Sequence, residues 1–127
     1  MVLRTYLSGK IHGIRLTDKS VQYQGSITLS REYLDAAGIT PFEAVQVVNV
    51  TTGARLTTYA MLSEDPGVCV LNGGAARQAE PGDKLIVMAF AQSDRPLLPK
   101  VVLVDEGNRI QRVLTGDLAI DDPELVC

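Results

Sequence analysis

The apolar residues of this chain come in short runs, and nearly every run is closed by a turn signal. The longest, residues 85–91, has seven members and follows Pro81-Gly82-Asp83. A membrane-spanning helix needs about 18 to 20, so no such segment is expected. Short runs rich in β-branched residues and bounded by Gly, Pro, Asn or Asp read as strands. Residues 2–11, 14–17, 21–23, 27–29, 44–51, 54–62, 68–71, 85–91, 101–104 and 110–113 read this way. Thr52-Gly53, Asp65-Pro66-Gly67, Asn72-Gly73-Gly74 and Asp105-Glu106-Gly107-Asn108 supply the turns between them. One helix is predicted: Ser30 caps it, Glu32 suits its first turn, Tyr33, Leu34 and Ala37 share a face, and Gly38 stops it. Residues 75–79 have room for one further helical turn. Many short strands with so little helix point to a closed barrel or a sandwich.

At 127 residues and 13.7 kDa the chain is expected to be one domain. The 46 % hydrophobic and 21 % charged shares suit a globular core, and with no Trp and only 5 % aromatics that core must be aliphatic. Twelve Lys and Arg against fifteen Asp and Glu give a net charge of −3, without the basic footprint of a nucleic-acid binder. Cys69 and Cys127 offer neither a metal spacing nor a disulfide framework, so a reducing cytoplasm is expected. The start MVLRTYLSGK lacks the apolar core of a secretory signal. The last ten or so residues, with Asp121-Asp122-Pro123, read as a frayed acidic tail.

Few residues stand out as carriers of chemistry. Gly25-Ser26 lies between two short strands. Its bland reading is a bend; its sharp reading is a serine hydroxyl able to attack the preceding carbonyl, where glycine offers no Cβ to hinder it. In Arg55-Leu56-Thr57-Thr58-Tyr59, period two puts Arg55, Thr57 and Tyr59 on one face and Thr58 on the other. A guanidinium suits a carboxylate, and a phenol can give up a proton. Lys10 is a second candidate cation. Asn72-Gly73-Gly74-Ala75 after a strand would expose successive backbone N–H groups to an anion. His12, the single histidine, has no triad or metal set beside it in sequence.

These segments together resemble the pyruvoyl-dependent aspartate 1-decarboxylase family. Gly9-Lys10-Ile11-His12, Tyr23-Gln24-Gly25-Ser26, Leu34-Asp35-Ala36-Ala37-Gly38-Ile39, Val48-Asn49-Val50-Thr51, Gly53-Ala54-Arg55, Thr58-Tyr59-Ala60, Asn72-Gly73-Gly74-Ala75-Ala76 and Pro81-Gly82-Asp83 run in the family's order. No one of them is specific; the ordered set is. The resemblance implies a mostly β fold, a six-stranded double-psi β-barrel with one or two short helices, as a single domain over 1–127. It implies self-cleavage between Gly25 and Ser26 into residues 1–25 and 26–127, with Ser26 becoming a covalent pyruvoyl group. That group would form a Schiff base with L-aspartate and release CO2 and β-alanine for pantothenate synthesis.

By the same resemblance, Tyr59 matches the proton donor, and Thr58 a substrate contact that also assists cleavage. Lys10 and Arg55 match the carboxylate partners. Asn72, Gly73, Gly74 and Ala75 match the segment around the substrate, and His12 a supporting histidine. A homotetramer in the cytoplasm is implied, with no metal, nucleic acid or membrane partner. Thr58 and Tyr59 on opposite faces then require a twist, or a neighbouring subunit, to meet in one pocket. The chain departs from the family at Gly13, where arginine is frequent, at residues 63–67, and in the glycines of residues 72–76, where alanine is usual. Two other readings stay open: a non-enzymatic double-psi barrel that binds or assembles, and a pyruvoyl decarboxylase of another amino acid.

Overall fold

The computed structural model describes residues 1–20 and 26–115. Nine strands form along it: β1 (Arg4–Arg15), β2 (Asp18–Ser20), β3 (Ser26–Ser30), β4 (Ala44–Asn49), β5 (Arg55–Ser63), β6 (Cys69–Asn72), β7 (Lys84–Ser93), β8 (Lys100–Val104) and β9 (Ile110–Thr115). One α-helix, α1 (Arg31–Ala37), and a 3-10 turn (Gly73–Gln78) complete them. The fold is mostly β, as expected. The strand order is β2-β6-β3-β5-β4-β7-β1-β8-β9. Most neighbours are antiparallel, but β1 runs parallel to β8, β2 to β6 and β3 to β5.

The strand count is nine among the described residues, where the resemblance implied six. Two sources account for the difference. β2 is a three-residue piece separated from β1 by Leu16 and Thr17, and β8 and β9 add a hairpin beyond the stretch that carries the resemblance. Two expected strands merge instead: residues 2–11 and 14–17 lie largely on one long β1. Gly13, at φ +93, absorbs a register shift against β7 between His12 and Ile14, so the chain bends without breaking. The expected strand at residues 21–23, Gly25, the acidic tail and Cys127 lie outside the described residues.

The core is aliphatic. Ile11, Ile14, Ile27, Leu29, Val47, Leu71, Leu85 and Val87 are fully buried, with Tyr33 as the aromatic among them. Strand alternation produces this: β4 buries Val45, Val47 and Asn49 and turns Gln46 and Val48 outward. α1 packs with Tyr33, Leu34 and Ala37 inward, and it ends at Gly38 in the left-handed region, as its sequence predicts. The predicted cap differs. Ser30 sits at the helix start, but its Oγ donates to the Asp65 carbonyl and accepts from the Val68 amide, both at 2.6 Å. The hydroxyl ties the loop before β6 to β3 instead of capping the helix.

Close packing at Gly9 is a further constraint. A Cβ built there would lie 2.3 Å from the Ala37 carbonyl oxygen. The oxygen belongs to backbone, so it has no flexible end that can swing away. Gly9→Ala is therefore expected to cost about 3 kcal/mol by overpacking, read as a lowered urea midpoint with an unchanged m-value.

Candidate active site

Ser26 opens β3 and is 4 % exposed. β3 turns Ile27 and Leu29 into the core, so Ser26 and Thr28 share the opposite face. Their cross-strand neighbour on β6 is Asn72, paired in register with Ser26. The Asn72 Nδ2 donates to Ser26 Oγ and to Thr28 Oγ1, each at 3.0 Å. A primary amide with two N–H groups thus fixes both hydroxyls. Gly25, the other half of the expected scissile bond, lies outside the described residues.

A cavity of about 440 Å³ lies between the first half of β5 and the 3-10 turn that follows Asn72, lined by Leu56, Thr57, Thr58, Tyr59, Gly74, Ala75 and Gln78; Ser26 and Asn72 do not line it. Four of these, Thr58, Tyr59, Gly74 and Ala75, are residues singled out from the sequence. Consecutive strand residues alternate faces, yet residues 56–59 all reach one cavity. Among the described residues, β5 pairs with β3 from Ala60 onward and with β4 over Arg55–Tyr59. The 3-10 turn lies across the cavity from this first half of β5. Gly73 is buried with φ +63 at the start of that turn. Gly74 has nothing within 4 Å of where a Cβ would stand, so glycine in place of alanine leaves the cavity wider. Leu56 and Gln78 were not singled out from the sequence; a leucine at a core-facing position and a glutamine at a turn end carry no chemical signal of their own.

The expected carboxylate partners lie elsewhere. In register, Arg55 opposes Val48, Val48 opposes Ile86, and Ile86 opposes His12. Thr57, Gln46, Met88 and Lys10 form the adjacent row. Opposed residues share a face, so Arg55, His12 and Lys10 stand on one face of the sheet. Three strand spacings separate β5 from β1, about 14 Å between backbones. Arg55 is exposed, and Lys10 half-buried. Within one chain these two cations do not sit around one small dicarboxylate.

His12 is 4 % exposed, and its pKa is pushed down to about 4, first by burial and then by the nearby charges of Lys10 and Lys84. It is neutral at pH 7. As the single histidine of the chain, it gives one set of imidazole NMR resonances, expected to titrate near pH 4 and not near 6.5. A native pKa below the unfolded one gives stability that is complete above pH 6.5 and declines as the pH falls toward 4. His12→Gln should flatten that part of the stability profile; an unchanged profile would remove His12 as its source.

Two of the motif segments prove architectural. Asn49 Nδ2 donates to Asp83 Oδ2 at 2.8 Å and to the Gln78 carbonyl at 3.1 Å, and Asp83 Oδ2 also accepts from the Glu80 amide. These bonds tie the β4 end to the end of the 3-10 turn and to the Pro81-Gly82-Asp83 turn. They hold Asp83 below the usual carboxylate range, through the Glu80 amide first and Asn49 second. Among the described residues no three His, Cys, Asp or Glu side chains gather as a metal-ligand group, and no helix is long and apolar enough to cross a membrane.

Comparison with known proteins covers most of the chain. The family model described as aspartate decarboxylase matches residues 2–111. The aspartate 1-decarboxylase of Salinibacter ruber is 47 % identical over 124 residues, covering 93 % of this chain and 84 % of the relative. That of Acaryochloris marina is 47 % identical over 112 residues, 84 % of this chain and 86 % of the relative. A Campylobacter jejuni aspartate 1-decarboxylase is 44 % identical over 113 residues, 86 % and 90 % of the two chains. A match over most of the chain, with the serine, the first half of β5 and the glycine turn in one neighbourhood, has one consequence: this chain belongs to the aspartate decarboxylase family.

Proposed function

We propose that the chain is the precursor of a pyruvoyl-dependent aspartate 1-decarboxylase, a carboxy-lyase that converts L-aspartate to β-alanine and CO2 and so feeds pantothenate synthesis. One observation carries the reading: a buried serine hydroxyl, held by Asn72 at the start of β3, in the same neighbourhood as the cavity that Thr58 and Tyr59 line. In the maturation step the Ser26 Oγ attacks the Gly25 carbonyl carbon. The C–N bond breaks, and the hydroxyl proton passes to the freed nitrogen. Loss of the Ser26 α-proton then breaks the Cβ–Oγ bond, releasing Gly25 as a carboxylate. Water replaces the nitrogen, which leaves as ammonia. The chain becomes residues 1–25 and 26–127, two pieces of one domain.

The residues present fit such a group. The position is buried, and Asn72 donates to the very oxygen that must first attack and then leave. A pyruvoyl group at residue 26 supplies a sink for the electron pair left when a carboxylate departs. The remaining work falls to side chains and backbone. Tyr59 delivers a proton to the substrate carbon. Thr58 holds substrate and, in the precursor, steadies the Gly25 carbonyl. The backbone of Gly73, Gly74 and Ala75 lines the substrate, with Asn72 beside it. Lys10 and Arg55 pair with the two substrate carboxylates, and neutral His12 supports Lys10.

The separation of Lys10 from Arg55 within one chain supports a further part of the reading, a homotetramer in which adjoining copies bring cation and serine together. The three parallel strand pairs, which need crossover connections, support the double-psi barrel as the closed form of this sheet. A cytoplasmic enzyme is the corresponding setting.

Two measurements test the proposal on the purified protein. Intact mass is expected to give the two pieces, the larger one beginning with a keto group. L-aspartate is expected to release CO2 and β-alanine. An uncut chain that releases no CO2 after prolonged incubation would point to a non-enzymatic barrel. Two pieces that act on L-glutamate and not on L-aspartate would overturn the substrate alone.

A further inference from the structure

A second, larger cavity lies away from Ser26, between the middle of β1, the start of β7 and the β8–β9 hairpin. Its volume is about 620 Å³, and its walls include His12, Arg15, Lys84, Asp105, Glu106 and Arg109. Of the residues assigned above to decarboxylation it shares His12 alone. We propose that this cavity binds a small oxyanion of two negative charges, a phosphate or a dicarboxylate, through Arg15, Lys84 and Arg109.

Three independent observations converge on an anion. First, Arg15 and Lys84 are directly opposed in the β1–β7 register. Like charges placed opposite one another in a sheet destabilise it, and an anion between them reverses that sign. Second, the Arg15 Nε–H is buried and has no hydrogen-bond partner among the described residues. A buried charged donor is costly until something accepts from it. Third, three cationic side chains line the cavity against two carboxylates, and Asp105 Oδ1 accepts from the Gly107 amide at 2.9 Å and the Arg109 amide at 3.0 Å, which shapes the hairpin turn. Among the described residues, the ion pairs are Lys19–Glu80, Arg31–Glu64 and Arg95–Asp94; none involves Arg15, Lys84 or Arg109.

The scaffold holds the site rigid. Asn108, at φ +60, accepts from the Arg15 amide at 2.8 Å and donates to the Arg15 carbonyl at 2.9 Å through its side chain. Its own carbonyl accepts from the Tyr33 hydroxyl. The hairpin is thereby fixed to the Arg15 backbone and to α1. Gly13 adds no side chain to the wall, and a Cβ there would lie 2.8 Å from the Val104 carbonyl. A volume of this size takes more than a bare ion, so an organic group attached to the oxyanion has room.

The test uses the wild-type protein with inorganic phosphate and, in a parallel arm, succinate, at constant ionic strength set with chloride. The expected result is a saturable rise in unfolding temperature and a saturable shift of the His12 imidazole resonances with at least one of the two. The stronger arm assigns phosphate or dicarboxylate chemistry. Arg15→Gln and Arg109→Gln are each expected to weaken the dissociation constant about tenfold or more. Arg15→Gln also removes the like-charge pair, so without ligand it is expected to unfold no earlier than wild type. Two results would overturn the proposal: no saturable effect of either anion, or an affinity unchanged in both variants. Neither depends on whether Ser26 is processed, and Ser26→Ala should bind the anion as wild type does.

Discussion

Alanine at position 26 is expected to leave a single uncut chain of 127 residues that folds normally and releases no CO2 from L-aspartate. The substitution deletes the one oxygen that the proposed cleavage needs. It deletes little else. Ser26 lies between Asn72 and the start of β3, and the Asn72 amide retains its bond to Thr28 Oγ1 when Ser26 Oγ is gone. The loss to folding is that of one hydrogen bond, about 1 kcal/mol, against complete loss of both processing and turnover. Intact mass, thermal unfolding and CO2 release separate the three effects. A Ser26→Ala chain that is still cut after residue 25 would remove the serine from the chemistry. A chain that is uncut but still decarboxylates would remove the pyruvoyl group from it. Unfolding of the variant alone would decide nothing about chemistry, so Ser26→Cys is a useful companion. Its thiol keeps a nucleophile at the same place, and slow cutting there with none in the alanine chain assigns the step to the side-chain heteroatom.

Much of this arrangement was legible in the residues, and the reasons differ by element. β4 declares itself because buried residues recur at period two and burial on one face enforces the register, and β7 because a continuous apolar run follows a turn signal. α1 was legible from Tyr33, Leu34 and Ala37 on one stripe and from Gly38, whose left-handed conformation ends the helix. The cap was not, because Ser30 has two equally good local uses and the loop at Asp65 and Val68, distant in sequence, takes the hydroxyl. Gly13 was read as a break, since a glycine with positive φ marks turns and bulges alike. Which one applies is decided by β7, not by neighbours in sequence. The site divides in the same way. Asn72, Thr58 and Tyr59 follow from motif order, but their convergence depends on β3 lying between β6 and β5, a pairing between segments distant in sequence. The second cavity was invisible in sequence for a related reason: Arg15, Lys84 and Arg109 are spread over the chain, and their opposition is a fact of strand register.

Phenylalanine at position 59 is expected to lower kcat for L-aspartate by about a hundredfold to ten-thousandfold, the range for loss of a positioned proton donor. Processing into two pieces should persist. The argument rests on how little Tyr59→Phe removes. Tyr59 lines the cavity from β5, opposite Ala44 of β4, and its ring provides wall area whether or not it carries oxygen. The hydroxyl has no carboxylate to hold in the proposed roles, which belong to Lys10 and Arg55. Substrate binding should therefore survive, and the loss should fall on kcat with KM little changed. Thr58→Ala is the contrasting variant. Thr58 acts on both substrate and precursor, so its loss should slow cutting and raise KM together. If Tyr59→Phe changes kcat by less than about threefold, the proton comes from elsewhere, and solvent becomes the donor to examine. If instead Tyr59→Phe blocks cutting while Thr58→Ala does not, the two side chains have exchanged roles. That outcome is decidable because the two residues are adjacent in sequence and line the same cavity, so each single substitution leaves the other side chain in place.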